Sequence, residues 1–170
     1  MNDLNLLLIF AESATETARL LAAGADVNAK NVDRCTALMH AENAEQTKVL
    51  IDAGADVNAR DRWGATALMY AENAEQTKLL IDAGADVNAK DTLYKTALIY
   101  AITPEQTKVL IDAGADVNAE DFWGRTALMY AKTPEQKELL LNAMQSVRTK
   151  TKPIESLTKS IAMKNSQKSR

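Results

Sequence analysis

Cys35 and His40 are the chain's one cysteine and one histidine, so a thiolate–imidazole pair is the first chemistry its residues suggest. Five positions separate them, a poor approach geometry on one short helix, and the equivalent sites thirty residues on hold Ala65 and Tyr70. They read as scaffold substitutions, not as a nucleophile and its base. A single His and a single Cys cannot assemble a Cys/His metal set, and no glycine-rich phosphate loop is present. Asp26, Asp56, Asp86 and Asp116 form a row of acids, yet each follows Gly-Ala in a turn. A carboxylate bonding its own backbone accounts for that placement. The expectation is no enzyme, no metal and no cofactor.

Recognition is the chemistry that remains. The eight aromatic residues occupy two kinds of position: Trp63, Tyr94, Phe122 and Trp123 in segments that vary, and Phe10, Tyr70, Tyr100 and Tyr130 at one place in a short helical run. With Leu93 and the basic Lys30, Arg60, Arg62, Lys90, Lys95 and Arg125 they compose a surface of the residue types that dominate binding hot spots. The candidate partner-binding residues are Arg60, Arg62, Trp63, Tyr70, Lys90, Leu93, Tyr94, Lys95, Tyr100, Phe122, Trp123, Arg125 and Tyr130. A stacked ladder that fills space between repeats is the other account of the tyrosines, whereas the two tryptophans are expected at finger tips with little behind them.

The elements that must position these residues repeat every 30 positions, since GADVN begins at Gly24, Gly54, Gly84 and Gly114, and TAL at Thr36, Thr66, Thr96 and Thr126. A period of that length marks a solenoid or array. Thr36 opens an inner helix of about two turns, with Leu38 and Ala41 on one face. Asn43 then caps a second helix while Gln46 reaches back, and the same pair recurs as Ser13/Glu16, Asn73/Gln76, Thr103/Gln106 and Thr133/Gln136. Pro104 and Pro134 take the first helical position, where a missing N–H costs nothing. The second helix is expected to bury Val49, Leu50, Ile51 and Ala53 and to stop at Gly54, which can adopt the left-handed conformation of a helix end. The chain then runs out through Asp61-Arg62-Trp63-Gly64 and back as a hairpin finger. The fingers read KNVDRC, RDRWGA, KDTLYK and EDFWGR, while the second helix and its turn are near-copies. Identical positions meet identical stacking contacts, so individuality is written in the fingers.

Helix, helix, Gly-Ala-Asp turn and finger, in that order, closely resemble the ankyrin repeat over residues 1–143. The family's unit is about 33 residues with a T-P-L-H-x-A signature. Here the motif reads T-A-L-M-H-A, T-A-L-M-Y-A or T-A-L-I-Y-A, and Met39, Met69, Ile99 and Met129 stand where the family has His. The three missing residues are expected to come from the end of the inner helix and its turn. The resemblance implies an all-α helix-turn-helix solenoid with projecting hairpin fingers, in five units at residues 1–29, 30–59, 60–89, 90–119 and 120–143. It also implies a scaffold that binds another protein and performs no chemistry.

Charge divides the chain unevenly. Residues 144–170 carry seven basic side chains against Glu155, a net +6 that leaves −9 for residues 1–143 within an overall −3. Arg19 stands where Val49 and Leu79 stand inside, as suits a polar outer face, and Met144 replaces the next expected Gly. Pro153, Ile154, Leu157 and Ile161 suggest a short capping helix in this basic extension. Binding of nucleic acid or an anionic surface through it is the alternative function, but it lacks the aromatic interleaving of single-strand binders, so nucleic acid is not the expected partner. The expected partner is a protein with an acidic patch around an apolar pocket, engaged by an inhibitor, immunity or adaptor protein that is itself a monomer. A lone cysteine demands no oxidising compartment. The apolar LNLLLIFAESA follows Asp3 with no basic residue before it and aligns with the inner helices, so it is read as structure and the location as cytoplasmic. No apolar run approaches a membrane span.

Overall fold

The computed structural model describes residues 3–148. The chain alternates short and longer helices: α1 (Asp3–Ile9), α2 (Ala14–Ala22), a 3-10 turn at Ala37–His40, α3 (Ala44–Asp52), α4 (Ala67–Tyr70), α5 (Ala74–Asp82), α6 (Ala97–Tyr100), α7 (Pro104–Asp112), α8 (Ala127–Tyr130) and α9 over residues 134–148. There is no strand among the described residues. Outer helices pack in succession, α2 on α3, α3 on α5 and α5 on α7, and the inner elements do the same. Each unit touches its neighbours alone, which is a solenoid.

Local chemistry sets the helix ends. Ser13, Asn43, Asn73 and Thr103 are extended at the N-cap and accept the amide three residues on. At the other end Gly54 and Gly84 lie at φ 87° and 90°. The amides of Gly54 and Ala55 close onto the carbonyls of Ile51 and Leu50, the paired bonds of a left-handed helix stop. No glycine follows Ala143, so α9 runs on past residue 143 to 148. The capping helix expected around Pro153 to Ile161 lies outside the described residues.

Two expectations need correction. From the second unit on, the inner helix has a single turn of four residues instead of two, because Thr36, Thr66 and Thr96 supply no side-chain cap and the chain turns extended again at Ala41, Ala71 and Ala101; α1 alone among the described inner helices has seven residues. On the outer helix Leu50, Leu80 and Leu110 are buried, but Val49 and Ile51 are only partly so and Ala53 is exposed. The inward stripe at helical spacing is Gln46, Thr47 and Leu50, and both polar members are buried.

That stripe stitches the repeats together. Gln76 Oε1 accepts the Glu72 amide at 3.1 Å, one residue short of the cap itself, while its Nε2 donates to the Ala41 carbonyl at 2.8 Å and Thr47 Oγ1 at 3.3 Å in the preceding unit. Gln46, Gln106 and Gln136 repeat the arrangement. A second ladder runs through the Gly-Ala-Asp turns. Asp56 Oδ1 accepts the Asn58 amide, as expected, and Asn58 in turn accepts the Asp86 amide and donates to the Gly84 carbonyl. The buried glutamine amides, and beside them the exposed asparagines, fix the spacing of one unit on the next.

Candidate partner-binding surface

Three of the four fingers are built around one buried carboxylate. Asp61 Oδ1 accepts the amides of Trp63 and Ala65 at 2.8 and 2.9 Å, and its Oδ2 accepts the Tyr70 hydroxyl at 2.7 Å. Asp91 holds Leu93, Lys95 and Tyr100 in the same way, and Asp121 holds Trp123, Arg125 and Tyr130. In the earlier unit Asn31 takes the amides of Asp33 and Cys35, and His40 fills the tyrosine's place against Phe10, 5.4 Å between ring centres. The finger closes by two backbone bonds, Asp61 N–H to the Ala65 carbonyl and Gly64 N–H to the Asp61 carbonyl, and its tip is left-handed at Gly64, Gly124 and, without glycine, Arg34 and Tyr94. Successive fingers join through Arg62 N–H to Asp33, Thr92 N–H to Trp63 and Phe122 N–H to Leu93.

Burial, then the bond to Asp61 or Asp91, raises the pKa of Tyr70 and Tyr100. Burial acts to raise that of Asp121, but the Tyr130 hydroxyl, the amides of Arg125 and Trp123 and the Arg125 side chain outweigh it and hold the carboxyl down to about 2. The tyrosines therefore stay neutral donors and the acid stays charged across ordinary pH.

The family model described as ankyrin repeats (3 copies) matches residues 6–91 and 72–150. The chain belongs to the ankyrin-repeat family. No curated protein matches it. Ankyrin repeats in general are protein-binding scaffolds and not catalysts.

Cations and rings alternate along the ankyrin fingers. Arg125 lies 4.6 Å from the Trp123 ring centre and 4.9 Å from that of Tyr130, and Lys95 lies 5.2 Å from Tyr130 and 5.3 Å from Tyr100. The run Trp123, Arg125, Tyr130, Lys95, Tyr100 is thus continuous across two repeats. Phe122 meets Trp123 edge-on at 5.6 Å, and Arg62 covers the Trp63 ring at 5.4 Å. Trp63 and Trp123 are 50% and 55% exposed, so each ring is half covered and not the bare tip expected, because a cation from the same finger lies on it. Leu93, Tyr94 and Phe122 are exposed beside them.

The candidate cations differ in commitment. Arg60 donates to the carbonyls of Gly64 and Lys90 at 2.8 and 2.7 Å and so ties one finger to the next. Arg62 pairs with Asp33, and Arg125 with Asp121. Lys90 is exposed, and Lys95 lies on two rings. The tyrosine hydroxyls brace the finger of their own repeat, while Tyr70 and Tyr100 remain exposed. Sequence reasoning missed Asp61, Asp91 and Asp121. The signal was an Asp nine residues before Tyr70, Tyr100 and Tyr130, with Asn31 and His40 substituted together.

Cys35 and His40 are each shifted towards the neutral form. Burial first, then the charges of Asp61 and Asp33, raises the Cys35 pKa, which disfavours the thiolate a nucleophile needs. Burial lowers that of His40. Among the described residues no three His, Cys, Asp or Glu side chains converge as metal ligands, and no helix is long and apolar enough to cross a membrane.

Proposed function

We propose that this ankyrin chain binds a protein partner on the finger side of the stack, as an inhibitor, immunity or adaptor protein in the cytoplasm, with units bounded as the repeat period divides them and no chemistry of its own. The observation that carries this reading is the continuous run from Trp123 to Tyr100, flanked by exposed Phe122, Leu93, Tyr94 and Trp63. Its Trp123, Arg125 and Lys95 lie in the fingers, which vary between repeats, and its two tyrosines at a fixed place on the inner helices beside them. The rings are held by cations and the fingers by buried carboxylates, so little side-chain freedom remains to be lost on docking. Lys90 and Lys95 call for carboxylates on the partner, and the rings for an apolar feature between them.

Hydrogen exchange on the chain with a partner captured from its host tests this. The reading expects slowed exchange at residues 60–65, 90–95 and 120–125, with the outer helices α3, α5 and α7 unchanged. Protection confined to the outer helices would overturn it.

A further inference from the structure

The four finger tips share one backbone conformation but not one residue type. The left-handed position is Gly64 at φ 78° and Gly124 at φ 73° in two fingers, and Arg34 at φ 62° and Tyr94 at φ 60° in the other two. Among the described residues, Arg34 and Tyr94 alone have positive φ without being glycine. A side chain with a Cβ is strained in this conformation, because the Cβ crowds the carbonyl that follows it. Glycine relieves the strain, and glycine is what the sibling fingers use. At Gly64 the demand is doubled, since a Cβ there would stand 3.3 Å from the Thr92 amide nitrogen of the next finger. The Arg62 and Phe122 amides bond Asp33 and Leu93 in the same register, so each strained tip also has a following finger beside it.

Nothing among the described residues repays that strain. Both side chains are exposed, Tyr94 at 54%. The Arg34 guanidinium and the Tyr94 hydroxyl make no hydrogen bond or ion pair within the described residues, and the Tyr94 ring lies on no cation or other ring. Tyr70, Tyr100 and Tyr130 each spend their hydroxyl on a finger carboxylate, whereas Tyr94 braces nothing. Strain that persists without internal compensation points to a contact made outside the chain.

Resting on the finger-side reading above, we propose that Arg34 and Tyr94 are specificity-determining contacts with the protein partner, held outward at a cost in stability. The Tyr94 ring enters an apolar depression of that protein, whose wall offers an acceptor oxygen to the hydroxyl, and Arg34 meets a carboxylate two fingers away. Leu93 and Phe122 extend the apolar patch around Tyr94: both are exposed, and the Phe122 amide bonds the Leu93 carbonyl. The turn under the ring is closed by the Tyr94 amide on the Asp91 carbonyl, so the anchor is presented ready-made. Projecting tips at the first and third fingers alternate with bare ones at the second and fourth. Arg34 thereby carries the surface onto the first finger.

The test uses the full chain and the partner captured from its host. Tyr94→Gly and Tyr94→Ala both remove the ring, but only Ala keeps the strain, so the urea midpoint of the Gly variant should lie at least about 0.3 M above that of the Ala variant. Affinity should fall at least about tenfold in both, and equally to within about threefold, because the ring is what each has lost. Arg34→Gly should weaken binding about fivefold at about 50 mM salt, with a smaller difference at about 500 mM. Midpoints in the opposite order overturn the inference by removing the strain it starts from. A loss of affinity confined to Tyr94→Gly overturns it too, since the effect then belongs to a loosened turn. If Arg34→Gly/Tyr94→Gly binds within about twofold of the parent while the partner still slows exchange at residues 60–65, 90–95 and 120–125, the inference falls and the finger-side reading stands. Protection confined to the outer helices overturns both.

Discussion

Replacing Asp91 by Ala should be among the most damaging single changes to a finger. The carboxylate is buried and accepts three bonds, the amides of Leu93 and Lys95 at 2.8 Å and the Tyr100 hydroxyl at 2.7 Å. Hydrogen bonds to a charged acceptor are worth about 1.5–3 kcal/mol each, and donors left unmet forfeit that. The Lys95 amide is partly buried, but Leu93 and Tyr100 are exposed enough for water to repay some of the loss. The expected cost is therefore about 3–5 kcal/mol for Asp91→Ala, taken from the lower part of that range. Loosening Leu93 also loosens its carbonyl's bond to the Phe122 amide, so the neighbouring finger is affected too. Asp91→Asn is the control, because Asn31 already accepts the same two amides in its own finger. It keeps both backbone bonds and should cost about 1 kcal/mol. Equilibrium urea unfolding followed by far-ultraviolet circular dichroism measures both. Equal costs, or an Ala variant within about 1 kcal/mol of the parent, would refute the view that the carboxylate organises the finger.

Gly84 lies at φ 90° with open space where a Cβ would sit, so Gly84→Val should cost more than about 1 kcal/mol through backbone strain alone, and an unchanged urea midpoint would contradict it. Thr103→Ala orphans the Gln106 amide and should cost about 1 kcal/mol, whereas Lys108→Ala, which breaks only an exposed pair with Asp112, should cost under about 0.5; equal shifts in parallel melts would mean the cap is idle. Because Asp121 has a folded pKa depressed to about 2, its stabilisation is present above the unfolded value near 4 and is lost as pH falls from there towards 2. Acid titrations should show Asp121→Asn flattening the curve across that window, and a curve identical to the parent's would refute the assignment.

The fold was legible because a repeat prints its own alignment. Gly54, Gly84 and Gly114 each announce a left-handed stop, and Asn43, Asn73 and Thr103 each announce a cap, so agreement among copies compensates for weak single signals. What stayed hidden was contact between copies. Gln76 looked like half of a capping box, and nothing in its own repeat shows that its amide nitrogen reaches Ala41 and Thr47, 35 and 29 residues back. Burial of Val49 and Ile51 was overstated for a related reason: apolar character marks a helix face only when the facing surface is known, and here the facing surface wanted Gln and Thr. At the surface, residue types located the rings and cations. Their pairing, with Lys95 of one finger on Tyr130 of the next unit, depends on stacking geometry that one finger's sequence does not contain.

The most direct test of the central claim is the affinity of Trp63→Ala/Trp123→Ala for the captured partner, measured by isothermal titration beside the parent and an outer-helix control, Lys48→Ala/Lys78→Ala. The half-covered rings contribute about 1–2 kcal/mol each to stability, so dichroism must first show the double variant folded at the assay temperature. The account predicts that binding weakens by at least about 3 kcal/mol, more than a hundredfold, with the lysine control within about threefold of the parent. A folded double tryptophan variant that binds as tightly as the parent would contradict it and place the partner elsewhere on the solenoid.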